Sequence, residues 1–153
     1  MSLLRRLRLL FSAIVSGAMV MVVIGVLVRG GAASFQWFGA VVAVFGAGVL
    51  AASRWVAGLP LNAEGPAELA SSFVRATIGG AALAESPALV GAVGSMVTGD
   101  PWPALIGGAW SLLAFSFVAP TEAAVDRRDA ELRSRGSPLS LREVLGGGGA
   151  TLG

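Results

Sequence analysis

The stretch 75–97 is an apolar run long enough to cross a lipid bilayer, and it holds a single acidic residue, Glu85, near its centre. A membrane-spanning helix needs about 20 predominantly apolar residues. An ionisable side chain at mid-membrane depth is costly and marks a site with a function or a structural role. This run therefore predicts a membrane-embedded helix and makes Glu85 the residue to explain.

The composition extends this prediction to the whole chain. Of 153 residues, 55% are hydrophobic and 13% are charged, and the mean hydropathy is +0.78. Soluble domains carry about 25% charged residues. We predict an all-α integral membrane four-helix bundle made of two transmembrane hairpins. It forms one transmembrane domain over residues 1–120, with spans at about 9–28, 37–52, 73–97 and 102–119.

Local signals define the ends of these spans. The first apolar run, of about 20 residues, exceeds the 7–15 of a signal peptide, so we expect it to be retained. Trp37 and Trp102 stand where interfacial anchors occur. Pro66 favours the first turn of a helix, which predicts that the third helix begins before the membrane.

The arginines predict the orientation. Of the eleven basic residues, all arginine, only Arg29 falls on the outer side if both termini are cytoplasmic. Cytoplasmic loops of membrane proteins carry an excess of basic residues. We therefore expect a multi-pass protein with cytoplasmic N- and C-termini.

Residues 121–153 form a charged tail. A helix-prone segment precedes Gly136, residues 140–143 fit a capping box that opens a short helix, and the following Gly-rich segment is expected to be disordered. The favoured interpretation is a solvated helix with a loose end. The alternative is a docking segment for a partner, formed by Leu139, Leu141, Val144 and Leu145.

Glu85 lies about 18 Å from each end of its predicted span. No basic residue lies inside a span, and burial without a counter-charge disfavours the ionised carboxylate, so we expect a buried, neutral carboxyl group. Three hydrogen-bond partners are available in the sequence. Pro87 leaves the Leu83 carbonyl free, Ser86 is adjacent, and Ser111 lies at the same depth in the fourth span.

Two functions fit this cluster. The carboxyl, the carbonyl and the hydroxyl groups could form a polar contact between helices, or they could bind H⁺ or Na⁺. Under either interpretation, small residues let other helices approach closely. These predicted packing residues are Gly79, Gly80, Ala84, Ala88 and Gly91 in the third span, and Gly39 and Ala43 in the second.

The residue inventory excludes several classes. The chain has no Cys and no His, which excludes thiolate or His metal sites, Fe–S clusters and Ser–His catalysis. We therefore predict no metal, no cofactor and no enzymatic activity. The net charge of +2 reflects a basic tail interleaved with acids rather than a nucleic-acid surface, so no nucleic-acid partner is expected.

The segment GGAALAESPALVGAV around Glu85 resembles the carboxylate helix of rotor-ring subunit c of F-type ATP synthases. The resemblance covers about twenty residues. It implies that Glu85 is the ion-carrying carboxylate and that Ser86 and the Leu83 carbonyl are its ligands.

A longer part of the chain, about residues 70–130, resembles a group of small bacterial four-span membrane proteins with no assigned function. Arg75, the sequence ALAE at 82–85, TGD at 98–100 and PTE at 120–122 carry this resemblance. It implies the bacterial cytoplasmic (inner) membrane and no particular reaction.

The leading hypothesis is a membrane protein that acts by self-association or as an accessory part of a larger membrane complex, with Glu85 as a contact between helices. The alternative is an H⁺- or Na⁺-translocating subunit, similar to subunit c, in which Glu85 carries the ion. We identify no internal repeat beyond a loose similarity of layout between the two predicted hairpins.

Overall fold

The computed structural model describes residues 2–28 and 37–146, and every regular element in these ranges is helical. The predicted turn around Arg29 and the Gly-rich end after Gly146 lie outside the described residues. The elements are α1 (Leu3–Leu27), α2 (Phe38–Gly58), α3 (Pro66–Thr98), α4 (Trp102–Val118), α5 (Glu122–Ser134) and α6 (Leu141–Gly146).

Three helices, α1, α2 and α3, are long and apolar enough to cross a membrane. Helix α4 has only 17 residues, and it reaches that length together with α5, from which it is bent by 47°. Large apolar side chains on the outer faces of the helices are exposed, as expected of helices in contact with lipid. Among them are Val20, Leu27, Val44, Val93 and Leu112. The chain is thus compatible with a multi-pass membrane protein.

Helices α3 and α4 form the central pair of the molecule. Both α1 and α2 contact this pair, and within the described ranges α1 and α2 do not contact each other. The sequence predicted that α1 and α2 would pack as a hairpin. The structure instead separates them, because the α3–α4 pair lies between them.

Helix α3 is continuous over 33 residues although it contains Pro87. It begins at Pro66, as the sequence predicted, and ends at Thr98, which is followed by the cap residue Gly99 with a left-handed φ of 71°. Glycine favours this conformation because it has no Cβ. The Asp100 carboxylate then accepts a hydrogen bond from the Trp102 N–H at 3.1 Å, which helps to start α4.

The tail packs against the bundle. Leu141 and Leu145 of α6 are fully buried in an apolar cluster with Leu7 of α1 and Leu69 and Phe73 of α3. The prediction of a solvated tail therefore fails for α6, whereas the predicted loose Gly-rich end lies outside the described residues. Its apolar side chains have an intramolecular partner, because the part of α3 that precedes the apolar run offers them an apolar surface.

Two buried charged residues of α5 hold this arrangement. The Asp129 carboxylate accepts hydrogen bonds from the Ser140 hydroxyl at 3.0 Å and from the Leu141 N–H, at the start of α6. The Arg128 guanidinium donates to the carbonyls of Ala57 and Leu59 at the end of α2. The C-terminus of a helix carries partial negative charge and unpaired carbonyls. Both features stabilise the positively charged guanidinium of Arg128 at this position.

Exposed ion pairs connect the tail to the start of the chain. Arg8 contacts Glu122 at 2.6 Å and also donates to the Pro120 carbonyl at 3.0 Å. Arg142 contacts Asp126 and Glu122, and the hydrogen bond with Asp126 raises the pKa of its guanidinium. Each exposed ion pair contributes little to the free energy of unfolding. The Arg8 contacts place α1 and the start of the tail at the same end of the molecule, and the Arg142 pairs join α6 to α5.

Candidate functional site

Glu85 lies on α3 at the edge of the face that packs against the other helices. Its neighbours Ala81, Ala84 and Ala88 are fully buried, whereas Glu85 itself is partly exposed at the outer surface. No hydrogen bond or ion pair joins its carboxylate to any residue of the described ranges. The sequence predicted a fully buried carboxyl with partners inside the same chain. Glu85 is instead only partly buried, and it has no hydrogen-bond partner among the described residues.

Two of the predicted partners are bonded to each other. The Ser86 hydroxyl donates a hydrogen bond to the Leu83 carbonyl at 2.7 Å. Because Pro87 has no N–H, this carbonyl lacks its usual partner within the helix. The Ser86 side chain replaces that bond, which explains how α3 continues through Pro87.

The third predicted partner, Ser111, is fully buried in the contact between α4 and α3. Its hydroxyl oxygen accepts a hydrogen bond from the Ala88 N–H at 2.9 Å. The structure therefore brings Ser111 to α3, but its bond is to the backbone after Pro87 and not to the Glu85 carboxylate. In the tentative set of Glu85, Ser86, Leu83 and Ser111, no hydrogen bond within the described residues joins Glu85 to the other three.

A second serine repeats this bond in the opposite direction. The Ser95 hydroxyl of α3 accepts a hydrogen bond from the Ala104 N–H of α4 at 2.8 Å. Ala104 lies in the first turn of α4, where backbone N–H groups have no partner within the helix. Ser95 thus caps α4 from the neighbouring helix, a role that capping rules based on adjacent residues do not detect.

Glycines allow the two helices to approach this closely. A Cβ on Gly91 would overlap the Pro103 carbonyl, and a Cβ on Gly107 would overlap the Pro87 carbonyl. In both cases the obstacle is backbone, which cannot move aside easily. Each helix therefore places a glycine against the backbone beside the proline of its partner.

These reciprocal contacts expose an internal repeat. The segments PALVGAVGS (87–95) and PALIGGAWS (103–111) share Pro, Ala, Leu, Gly and Ser at the same spacing. Each Ala N–H donates to the Ser of the other segment, and each Gly faces the Pro carbonyl of the other. The antiparallel pair is thus related by a local two-fold axis. The conclusion that the sequence holds no further repeat was wrong, and direct alignment of these two segments would have revealed it.

The other predicted packing residues occupy different environments. Gly80 faces Val118 of α4, where a Cβ would lie 2.7 Å from its Cγ1. Gly79 is exposed, and a Cβ added to it would have no atom within 4 Å. On α2, Gly39 and Ala43 are partly buried, and the close contact is made by Gly46, which packs on the Trp110 ring.

Fold and site together define an all-helical protein with several helices compatible with membrane spans and a partly exposed acid on the longest of them. No group of three or more potential metal-ligating side chains occurs in the described part of the chain. Comparisons with models of protein families, with curated proteins and with solved structures give no match. The resemblances noted around Glu85 therefore stay predictions, and a function must be argued from the geometry.

Proposed function

We propose that this chain is a non-catalytic membrane protein of the bacterial cytoplasmic membrane that acts by associating with further copies of itself, through a contact that contains Glu85. The observation that carries this proposal is the position of the carboxyl group. It is partly exposed on the outer surface of α3 and has no partner within the described residues.

The proposal includes four membrane spans, α1 to α4, with both termini in the cytoplasm. The distribution of arginine supports this orientation, since Arg5, Arg6, Arg8 and the tail arginines lie at one end of the molecule. Helix α4 is short, and it meets the length of a membrane span only when it is taken together with α5, from which it is bent.

Hydrocarbon gives the carboxyl group of Glu85 no hydrogen-bond partner. A polar group left unpaired in such surroundings costs several kcal/mol, on the order of 2–7 for a neutral group. A neutral carboxyl carries both a donor and an acceptor. Two copies related by a two-fold axis can therefore satisfy each other's carboxyl groups, at a gain of about 0.6–2 kcal/mol for each interhelical hydrogen bond.

The surface around Glu85 suits such a contact. Ile78 and Leu89, which lie about two turns and one turn from Glu85 along α3, are exposed, and Ala82 is an exposed small residue between them. Small and apolar side chains permit close packing of helices in lipid. The second copy would therefore cover this face and surround the two carboxyl groups.

The test is the association of copies in vesicles, measured by energy transfer as the lipid-to-protein ratio increases. The chain has no cysteine, so an exposed Ala130→Cys substitution provides one labelling position. We expect Glu85→Leu to weaken association at least about tenfold, which corresponds to 1.4 kcal/mol. Glu85→Gln, which keeps a donor and an acceptor, should retain most of it.

The matched control is Glu68→Gln, which removes an exposed acid from the first turn of the same helix. This variant should associate as the unaltered protein does. A monomeric unaltered protein, or a Glu85→Leu variant that associates normally, would overturn the proposal.

Ion transfer by Glu85 is the second candidate, supported by the access to its carboxyl from outside the bundle. Carbodiimides modify protonated carboxyl groups in membranes, so labelling of Glu85 can be followed against pH and Na⁺. Labelling that Na⁺ blocks would favour ion transfer. A Glu85→Gln variant that functions normally in the cell would exclude ion transfer by this side chain, since an amide cannot carry the proton.

A further inference from the structure

A basic cleft of about 390 Å³ lies where the end of α2 meets the bend between α4 and α5. Arg54, Arg127 and Arg128 contribute to its wall, together with Phe117 and Glu131. Arg54 comes from α2, and the other two arginines come from α5. The cleft thus gathers positive charge from two elements that are distant in sequence.

Only part of this charge is neutralised. Glu131 contacts Arg128 at 3.0 Å and Arg135 at 2.6 Å, so both of its carboxylate oxygens are occupied. Arg128 is buried and also donates to the carbonyls at the end of α2. Arg54 and Arg127 are exposed, and neither forms an ion pair with an acid of the described residues.

The geometry fixes one of these two cations. The Arg54 guanidinium lies over the Phe117 ring, 5.0 Å from its centroid. This cation–π contact orients the side chain without neutralising it. Arg128 also covers the unpaired carbonyls of α2, which would otherwise repel an anion. Two guanidinium groups therefore remain available to bind a ligand with negative oxygens.

The surroundings indicate which anion would reach the cleft. Trp55 adjoins Arg54 and is 68% exposed, in the position of an interfacial aromatic anchor. An adjacent depression is lined by apolar side chains including Val56, Phe73 and Val118, and it shares Phe117 and Arg127 with the cleft. Positive charge and apolar surface thus lie side by side. This arrangement matches a phospholipid, in which the phosphate group adjoins the acyl chains.

We propose that this cleft binds the phosphate of an anionic phospholipid of the cytoplasmic leaflet, with Arg54 and Arg127 as its ligands. Guanidinium groups bind phosphate through charge-assisted, often bidentate hydrogen bonds. Basic pockets between helices at the cytoplasmic side bind anionic headgroups. The inference rests on the membrane topology of the proposed function, but not on association through Glu85.

The test uses the full chain in nanodiscs that contain equal amounts of phosphatidylglycerol and phosphatidylcholine, with the retained lipids counted by native mass spectrometry. We expect a severalfold preference for phosphatidylglycerol. The double variant Arg54→Gln/Arg127→Gln should lose this preference, whereas Arg54→Lys/Arg127→Lys should keep part of it. The control Arg75→Gln/Arg133→Gln removes the same charge elsewhere and should retain the preference.

Millimolar inorganic phosphate distinguishes the two possible sources of the ligand. Displacement of the lipid by free phosphate would show a soluble-anion site and would overturn the proposal. Equal retention of both lipids by the unaltered protein, or an unchanged preference in Arg54→Gln/Arg127→Gln, would overturn it as well. Circular dichroism checks that each variant is folded.

Energy transfer between copies is measured in the same nanodisc preparations at higher protein content. Loss of association with an intact lipid preference would contradict the proposed function alone. Intact association without a lipid preference would contradict only the lipid site.

Discussion

Ser111 of α4 accepts a hydrogen bond from the Ala88 N–H of α3 at 2.9 Å, directly after the proline that interrupts the helix. Ser95 and Ala104 form the reciprocal bond at 2.8 Å. The pair of bonds fixes the register of α3 against α4. The polar contact between helices that the sequence assigned to Glu85 is thus made by the two serines, and Glu85 is left free for another role.

The glycines of this contact should tolerate no side chain. Gly107→Ala places a Cβ against the Pro87 carbonyl, and we expect a loss of about 1–3 kcal/mol in the free energy of unfolding. Unfolding in mixed micelles, followed by circular dichroism, measures this change. Gly79→Ala is the control, since its Cβ would meet open space, and it should be neutral or stabilising by up to about 1 kcal/mol. Equal effects of the two substitutions would contradict the close contact of α3 and α4.

The two serine bonds should be similar in strength. Ser111→Ala and Ser95→Ala each remove one interhelical hydrogen bond, and we expect each to cost about 0.6 kcal/mol, with an upper value of about 1.7. The same unfolding measurement applies. Ser116→Ala is the matched control, because that exposed hydroxyl bonds only to the Leu113 carbonyl of its own helix. If Ser111→Ala is as harmless as Ser116→Ala, the bond contributes nothing to stability.

Helix α6 should separate from the bundle when one of its buried leucines is truncated. Leu141 is fully buried against α1 and α3, so Leu141→Ala should destabilise the docking of α6 by about 2–5 kcal/mol. Trypsin cleavage after Arg135 and Arg142 reports local opening, and we expect at least about a tenfold faster cut. Glu143→Ala, on the exposed face of the same helix, should be cut at the original rate. Rapid cleavage of the unaltered protein would show that the tail is not docked.

The orientation can be tested without purification. Reporter fusions after Pro120 should be active in the cytoplasm, and fusions at Gly31 and Asp100 should be active outside it, because of the excess of arginine at the end that holds Arg8 and helix α5. Each position is fused to two reporters, one active only in the cytoplasm and one active only outside it, so that each fusion is the control for the other. A cytoplasmic signal at Asp100 would exclude the proposed four spans.

Local signals were sufficient to predict several helix ends. Pro66 marks the start of α3, and Ser140 lies just before α6, where its hydroxyl accepts a hydrogen bond from the Glu143 N–H at 3.4 Å. Gly136, with a φ of 77°, follows the end of α5. Such signals depend on a few adjacent residues, so they can be recognised before the chain is folded.

The partners of polar side chains could not be predicted in the same way. Ser111 and Glu85 occupy similar depths, and depth was the only basis for pairing them. In a helix, the direction of a side chain changes by about 100° per residue, so helices that meet at one depth can present different faces. The buried bond of Ser111 to Ala88 depends on how α4 is rotated against α3.

By itself, the sequence determined that the chain is helical, that several helices can cross a membrane, and that an acid lies within the longest of them, because apolar length and periodicity are local properties of a chain. Only the tertiary structure decided that α3 and α4 form the centre, that α1 and α2 are kept apart, and that Glu85 stays partly exposed. Those outcomes depend on which surfaces fit together, and the close fit of Gly91 and Gly107 against backbone involves residues from both helices at once.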